Sequence, residues 1–299
     1  MEGYIVLALH DPRYLDLAAN LALSVRRLET RPVSVVISPK IEVPESYQDL
    51  FDRIIRLDEH PTLKGAMAKT LLFGISPYER TMYIDADCLL FNSRIEFYWR
   101  RCRGQAFAVE GYLQSYGPVF ACSLGVKHAE DLCKLLNVER LPVFNSGVMY
   151  FEACDASKQV FDTAIELFEG QHKDTISYPY KHSGEYADEP FFACALAKNG
   201  ILPLQTEGSE RWQVTTPNLI DAVMDLTVGD LRVAKHRDGQ DPLVWSGPIC
   251  HFCGLAPMDK YFDLTDQLRD EAGLAHIDRS RFQPQLMQPN SYQDAGHKD

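Results

Sequence analysis

Apolar and polar positions change period several times along the first ninety residues. Tyr4-Ile5-Val6-Leu7-Ala8-Leu9 is a continuous apolar run, the pattern of a strand covered on both faces. Past His10-Asp11-Pro12-Arg13 the spacing becomes threes and fours, with Tyr14, Leu17, Ala18, Leu21, Val25 and Leu28 on one stripe, which predicts a helix. Asp11 as N-cap and Pro12 as first helical residue start it. Val33 to Ile37 and Arg53 to Leu57 read as further strands, with a Pro-containing polar connection between them. Leu63 to Phe73 reads as a helix carrying Lys64 and Lys69, and Ser76-Pro77-Tyr78 breaks the pattern. Strands alternating with helices predict an α/β fold with a mostly parallel central sheet flanked by helices.

The next apolar run, Tyr83-Ile84-Asp85-Ala86-Asp87-Cys88-Leu89-Leu90-Phe91, is interrupted by two acids. In an extended segment they point the same way, and without a cation nearby they repel. Hard divalent ions such as Mg²⁺ and Mn²⁺ take oxygen ligands of this kind, often with substrate phosphates. Ligands of open α/β sheets gather outside the carboxyl ends of the strands, where both acids and the loop at His10 to Tyr14 fall.

Further on, a strand is expected at residues 105–109, followed by an aromatic, glycine-containing irregular stretch at 112–126. Phe144-Asn145-Ser146-Gly147 is a small-residue turn leading into the apolar strand that ends at Phe151. Helices are expected at 156–169 and 188–198, the second opening with Asp188-Glu189-Pro190, where acids suit the positive helix end. A polar loop at 171–185 lies between them, and short strands are expected at 201–204 and 212–215. Pro248 to Gly254 approaches His251 as a strand and leaves through a glycine turn, and a terminal helix follows at 260–272. One domain is expected over residues 1–281, with a polar, flexible tail at 282–299.

Composition removes some function classes. The 299 residues include 30 basic and 42 acidic side chains, a net charge of −12, which argues against a broad nucleic-acid-binding face. No apolar run is long enough for a membrane span and the chain opens directly on a strand, so a cytoplasmic protein is expected. Eight scattered cysteines in a chain of this size read as mostly buried free thiols.

Taken in order, these pieces resemble the family 8 glycosyltransferases, the group that includes glycogenin and bacterial galactosyltransferases. The residues that carry the resemblance are the opening strand and helix with Tyr14 and Ser24, Lys69, Asp85-Ala86-Asp87, Phe144-Asn145-Ser146-Gly147, Asp188, and His251-Phe252-Cys253-Gly254. The resemblance implies a GT-A-type, Rossmann-like fold, a nucleotide-sugar donor of the UDP-sugar type, and transfer with retention of configuration to an unidentified acceptor. It implies Mn²⁺ (or Mg²⁺) held by Asp85, Asp87 and His251. Leu9, His10 and Tyr14 would cradle the base, with Lys69 and Ala86 against the donor. Asn145, Ser146 and Asp188 would line the sugar, with Glu189 as a second carboxylate, and Gly254 and Lys260 would approach the diphosphate.

The chain also departs from the family pattern. His10 stands where an amide or hydroxyl is common, in a loop one residue longer. Glu189-Pro190 replaces Gln and a small residue, and Leu255 to Lys260 replaces the usual Lys-Pro-Trp, which leaves Lys260 as a displaced candidate. Competing readings remain open at this stage. Lys69 has a competing reading as a surface helix lysine, Asp188 as a helix N-cap, Tyr14 as core, and Cys250, His251 and Cys253 as zinc ligands or a redox pair, which no second cluster at suitable spacing supports. The whole chain reads alternatively as a sugar-nucleotide nucleotidyltransferase, although His10-Asp11-Pro12-Arg13 is no glycine-rich triphosphate loop, or as a silent nucleotide-sugar binder.

Overall fold

A computed structural model describes residues 1–122, 125–181, 183–206, 208–216, 219–235 and 241–282. Residues 283–299 of the expected tail lie outside the described residues. Phe282, also assigned to that tail, is instead buried, its ring 5.3 Å from that of Phe262.

The central sheet forms where the apolar runs predicted it. Strands β1 (Glu2–Ala8), β2 (Val33–Ile37), β3 (Arg53–Arg56) and β4 (Arg80–Ile84) are mutually parallel in the order β3-β2-β1-β4. The strand Val148–Glu152 then runs antiparallel to β4, and Phe107–Ala108 antiparallel to it. Both faces are covered, which is why β1 and β2 are apolar throughout rather than alternating. The helix α1 (Pro12–Arg26) and the terminal helix Met258–Glu271 pack into one core, while Asp155–Glu169 and Glu189–Lys198 pack into the other. Asp11 caps α1 as expected, its carboxylate accepting from the Arg13 backbone N–H at 2.9 Å.

A second small sheet is added at the carboxyl end of β4. Ile249–His251 lies between Gln213–Thr215, parallel to it, and β5 (Cys88–Leu90), antiparallel to it. Ser24 anchors this sheet to α1. Its hydroxyl donates to the Leu21 carbonyl at 2.7 Å and accepts from the Leu90 N–H at 3.0 Å.

Several elements differ from the sequence expectation. The helix expected over 63–73 is a 3₁₀ turn, Gly65–Leu71, followed by a short α-helix, Leu72–Ile75. The stretch expected to be irregular carries the strands Gly111–Gln114, Pro118–Cys122 and Gly125–His128. The strand expected at 201–204 is reduced to a single bridge between Leu204 and Glu110. A three-stranded antiparallel sheet, Leu219–Asp225, Asp230–Lys235 and Leu243–Ser246, was not anticipated, although Leu231 and Val233 inside against Asp230 and Arg232 outside is strand alternation. No helix among the described residues is long and apolar enough to cross a membrane.

Candidate active site

At Ile84 the chain leaves β4 and turns through Asp85 to Asp87 into β5. The turn is closed by the Cys88 N–H on the Asp85 carbonyl at 3.0 Å. Two neighbours clamp it: the Asp85 N–H donates to the Gly147 carbonyl at 2.8 Å, and the Phe252 N–H to the Asp87 carbonyl at 3.0 Å. The acids therefore sit in a turn rather than in an alternating strand, and their side chains have different partners. Asp85 meets Lys69, and Asp87 meets His251.

Lys69 is buried, not a surface lysine. Its ammonium lies 3.0 Å from one Asp85 oxygen and 3.1 Å from the other, 3.0 Å from Ser146 Oγ, 3.3 Å from the Ser146 carbonyl and 3.6 Å from Asp188 Oδ2. Burial works against its charge, but Asp188 and Asp85 overcome that and hold its pKa well above the usual lysine value. Tyr83 donates its hydroxyl to Asp85 Oδ1, and its ring lies 5.2 Å from the ammonium. Asp188 occupies the N-cap position of the helix Glu189–Lys198, yet its side chain caps nothing, and Oδ2 is a buried oxygen without a hydrogen bond. Burial raises its pKa, with Lys69 opposing.

Glu189 accepts from the Ser146 N–H at 3.0 Å and from Asn145 Nδ2 at 3.2 Å. Burial, followed by the nearby charge of Asp188, pushes its pKa up to about 7. Asn145 also orients the histidine: His251 Nδ1 lies 2.8 Å from Asn145 Oδ1. A carbonyl oxygen only accepts, so Nδ1 carries the proton and Nε2 faces Asp87 Oδ1 at 3.2 Å and Asp85 Oδ2 at 3.7 Å. This is how a metal-ligating imidazole is commonly held, one nitrogen on an acceptor and the other toward the ion. Burial disfavours a charged ring here, while Cys253 and Asp87 act against it and raise the His251 pKa above its ordinary value.

Among the described residues, the group of metal-ligand types that comes together is Asp87, Cys88 and His251, with ligand atoms within 4.8 Å of one another. It contains neither Cys250 nor Cys253, the partners in the zinc alternative.

Gly147 allows this packing. A Cβ there would stand 2.3 Å from His251 Nδ1 and 2.9 Å from Asn145 Oδ1. Gly147→Ala should therefore displace the imidazole, costing about 1–3 kcal/mol by overpacking and weakening divalent-ion binding. Denaturant unfolding with and without Mn²⁺ checks both effects.

The rim residues are more dispersed. His10 adopts a left-handed backbone, φ 68°, with its N–H on Ser38 Oγ at 2.9 Å and its ring 3.7 Å from Glu59. With Leu9, Ser38, Leu57 and Asp58 it lines a small recess beside the site. Tyr14 is 40% exposed despite lying on the apolar stripe. Partial burial and the charges of Asp87, Asp11 and Asp85 raise its hydroxyl pKa. Ala86 is buried in the turn, and Gly254 takes a left-handed φ of 67° after the histidine strand. Lys260 is half-buried in the first turn of the terminal helix, and no hydrogen bond or ion pair among the described residues joins it to the acids. Three residues of the cluster were not singled out in sequence: Tyr83, Cys88 and Gln213, whose side-chain amide donates to the Asn145 carbonyl at 2.8 Å. Tyr83 was findable, being two residues before Asp85.

The parallel sheet with flanking helices gives the chain a GT-A-type fold, matched by solved structures. Among solved structures, the galactosyltransferase LgtC in complex with donor and acceptor sugar analogs is similar in fold, with 14% identity, 94% of this chain and 98% of that chain covered, and a TM-score of 0.52. An active-site glutamine-to-glutamate mutant of LgtC matches with 15% identity, 94% and 99% coverage, and a TM-score of 0.51. No protein-family model matches the sequence, and neither does any curated protein.

Proposed function

We propose that the protein is a metal-dependent glycosyltransferase that moves a sugar from a nucleotide-sugar donor, a UDP-sugar by its resemblance, to an acceptor with retention of configuration. One observation carries this. A buried ammonium stands between two carboxylates, Asp85 and Asp188, beside an Asp87–His251 pair, at the carboxyl edge of a GT-A-type sheet.

The residues fit a divalent ion. Asp87 offers an oxygen beside an imidazole nitrogen already oriented by Asn145, with Asp85 alongside, and the imidazole favours Mn²⁺ over Mg²⁺. When bound, the ion supplies Lewis-acid stabilisation of the charge that grows on a departing diphosphate. Leu9, His10 and Tyr14 would border the base, while Ala86, Gly254 and, after a side-chain movement, Lys260 would border the phosphates. Lys69 holds Asp85, Asp188 and Ser146 in one geometry. Asn145 and Ser146 would line the sugar, and Asp188 Oδ2, paired with the Lys69 ammonium at 3.6 Å but accepting no hydrogen bond, would accept from a sugar hydroxyl. Glu189, with a pKa near 7, suits proton exchange with an acceptor hydroxyl at neutral pH.

Thermal unfolding against a panel of nucleotide sugars, with and without Mn²⁺, tests the proposal. A donor at about 100 times its dissociation constant should stabilise the protein by about 2.7 kcal/mol, only with metal, and the effect should vanish in Asp87→Asn. Stabilisation by no nucleotide sugar with any divalent ion would overturn it. Metal-dependent release of nucleoside diphosphate separates an enzyme from a silent binder.

A further inference from the structure

Lys69 is a poor partner for an incoming phosphate, because Asp85, Ser146 and Asp188 already hold its ammonium at 3.0, 3.0 and 3.6 Å. Asp85, Asp87, Asp188 and Glu189 also repel an anion, and a divalent ion offsets only part of a diphosphate's charge. A second cation reaches the same face from the three-stranded sheet. Lys235 ends the strand Asp230–Lys235 and is half-buried. Its ammonium donates to Thr215 Oγ1 at 2.6 Å and lies 5.1 Å from the centre of the Trp245 ring. Among the described residues it has no other hydrogen-bond acceptor and forms no ion pair with a carboxylate. Thr215 is the parallel partner of His251 in the small sheet, and residues in register on neighbouring strands put their side chains on one face. The Lys235 ammonium therefore stands on the imidazole's face, beyond the Thr215 hydroxyl. Burial lowers its pKa, the direction of a cation held away from water without a counter-ion.

We propose that Lys235 is the cation that receives the phosphates of the donor's nucleoside diphosphate. The proposal rests on the donor reading for the nucleotide and goes beyond it in assigning the charge that the diphosphate meets. An ammonium that is partly desolvated and unpaired lowers stability until an anion arrives, and its free N–H donors then make charge-assisted hydrogen bonds to phosphate oxygens. The Trp245 ring and the Thr215 hydroxyl hold the ammonium in place meanwhile, one by cation–π attraction and the other by a hydrogen bond. Lys260, the candidate from sequence position, reaches the phosphates only after a side-chain movement, whereas Lys235 is already on the site's face. No spacing in the sequence points to it, because the strand that carries it belongs to the unanticipated sheet.

Calorimetric titration of the full chain with nucleoside diphosphates, UDP first, and with inorganic pyrophosphate, each with Mn²⁺, is the test. Lys235→Met should weaken both kinds of ligand by about ten- to a hundredfold, the range of a hydrogen bond between charged groups, and Lys235→Arg should restore most of the affinity. Without ligand, Lys235→Met should melt at the wild-type temperature or above it, since it removes an unpaired charge, and a purely structural lysine would not behave so. Should Lys235→Met fail to fold, acetylation of Lys235 in the wild type by acetic anhydride, mapped by mass spectrometry, decides. UDP with Mn²⁺ should protect the amine, and undiminished labelling overturns the assignment. Equal affinity in wild type and Lys235→Met, or a loss confined to Lys260→Met, sinks this proposal and leaves the donor reading standing. Pyrophosphate binding that depends on Lys235, with no response to any nucleotide, does the reverse. Binding of neither ligand overturns both.

Discussion

At pH 8 the Glu189→Gln protein should be more stable than the wild type by up to about 3 kcal/mol, at roughly 1.36 kcal/mol per pKa unit, and the two should converge near pH 4. Burial and the neighbouring Asp188 raise the Glu189 pKa from 4.5 to about 7. Between those values the folded state binds more protons than the unfolded chain, so this group's contribution to stability falls as pH rises through the window and stays lost above it. Glutamine keeps a carbonyl oxygen for the Ser146 N–H and the Asn145 amide, which Glu189 now serves at 3.0 and 3.2 Å, without the charge. Denaturant unfolding of both proteins from pH 4 to pH 8 measures the difference directly. Parallel curves would mean that Glu189 is not held near neutrality. If Glu189 exchanges protons with the acceptor, the stability gain should come with lost transfer, the usual trade at a working site.

The second large effect is expected at Lys69. Lys69→Met keeps most of the aliphatic stem but removes the charge that Asp85 and Asp188 share. Removing one member of a buried ion cluster typically costs about 3–5 kcal/mol, because the remaining charges stay desolvated and unpaired. Divalent ions should recover part of that loss in the variant, where the released acids gain a cation. Guanidinium unfolding with and without Mn²⁺ checks both parts. A cost below about 1 kcal/mol would show that solvent reaches the cluster, since exposed pairs are worth only that much.

These two positions also show how unevenly the site was legible. Glu189 was visible as a departure from a family pattern, yet its raised pKa comes from burial and from the charge of Asp188 beside it, which no spacing in the sequence records. Lys69 had a competing reading as a surface residue. Its position in a seven-residue 3₁₀ turn rather than a regular helix accompanies the burial of its ammonium between carboxylates from two distant segments. Asp188 had a competing reading as an ordinary helix cap, and its missing cap hydrogen bond, burial and pairing with Lys69 separate it from one.

The sequence by itself determined the parallel sheet, the capped first helix, the place of the acid pair at a strand's carboxyl end, and the order of the motifs around it. Those follow from local periodicity and turn chemistry, which a linear chain carries. Tertiary structure alone decided that Asp85 sits between Lys69 and His251 while Asp87 pairs with His251 alone, because a turn sends neighbouring side chains to different partners. It also decided that Cys88 and His251 face one another across a small sheet whose strands come from 88–90, 213–215 and 249–251. Pairing over such distances is set by packing of the whole domain, and the chemistry of the acid pair depends on it.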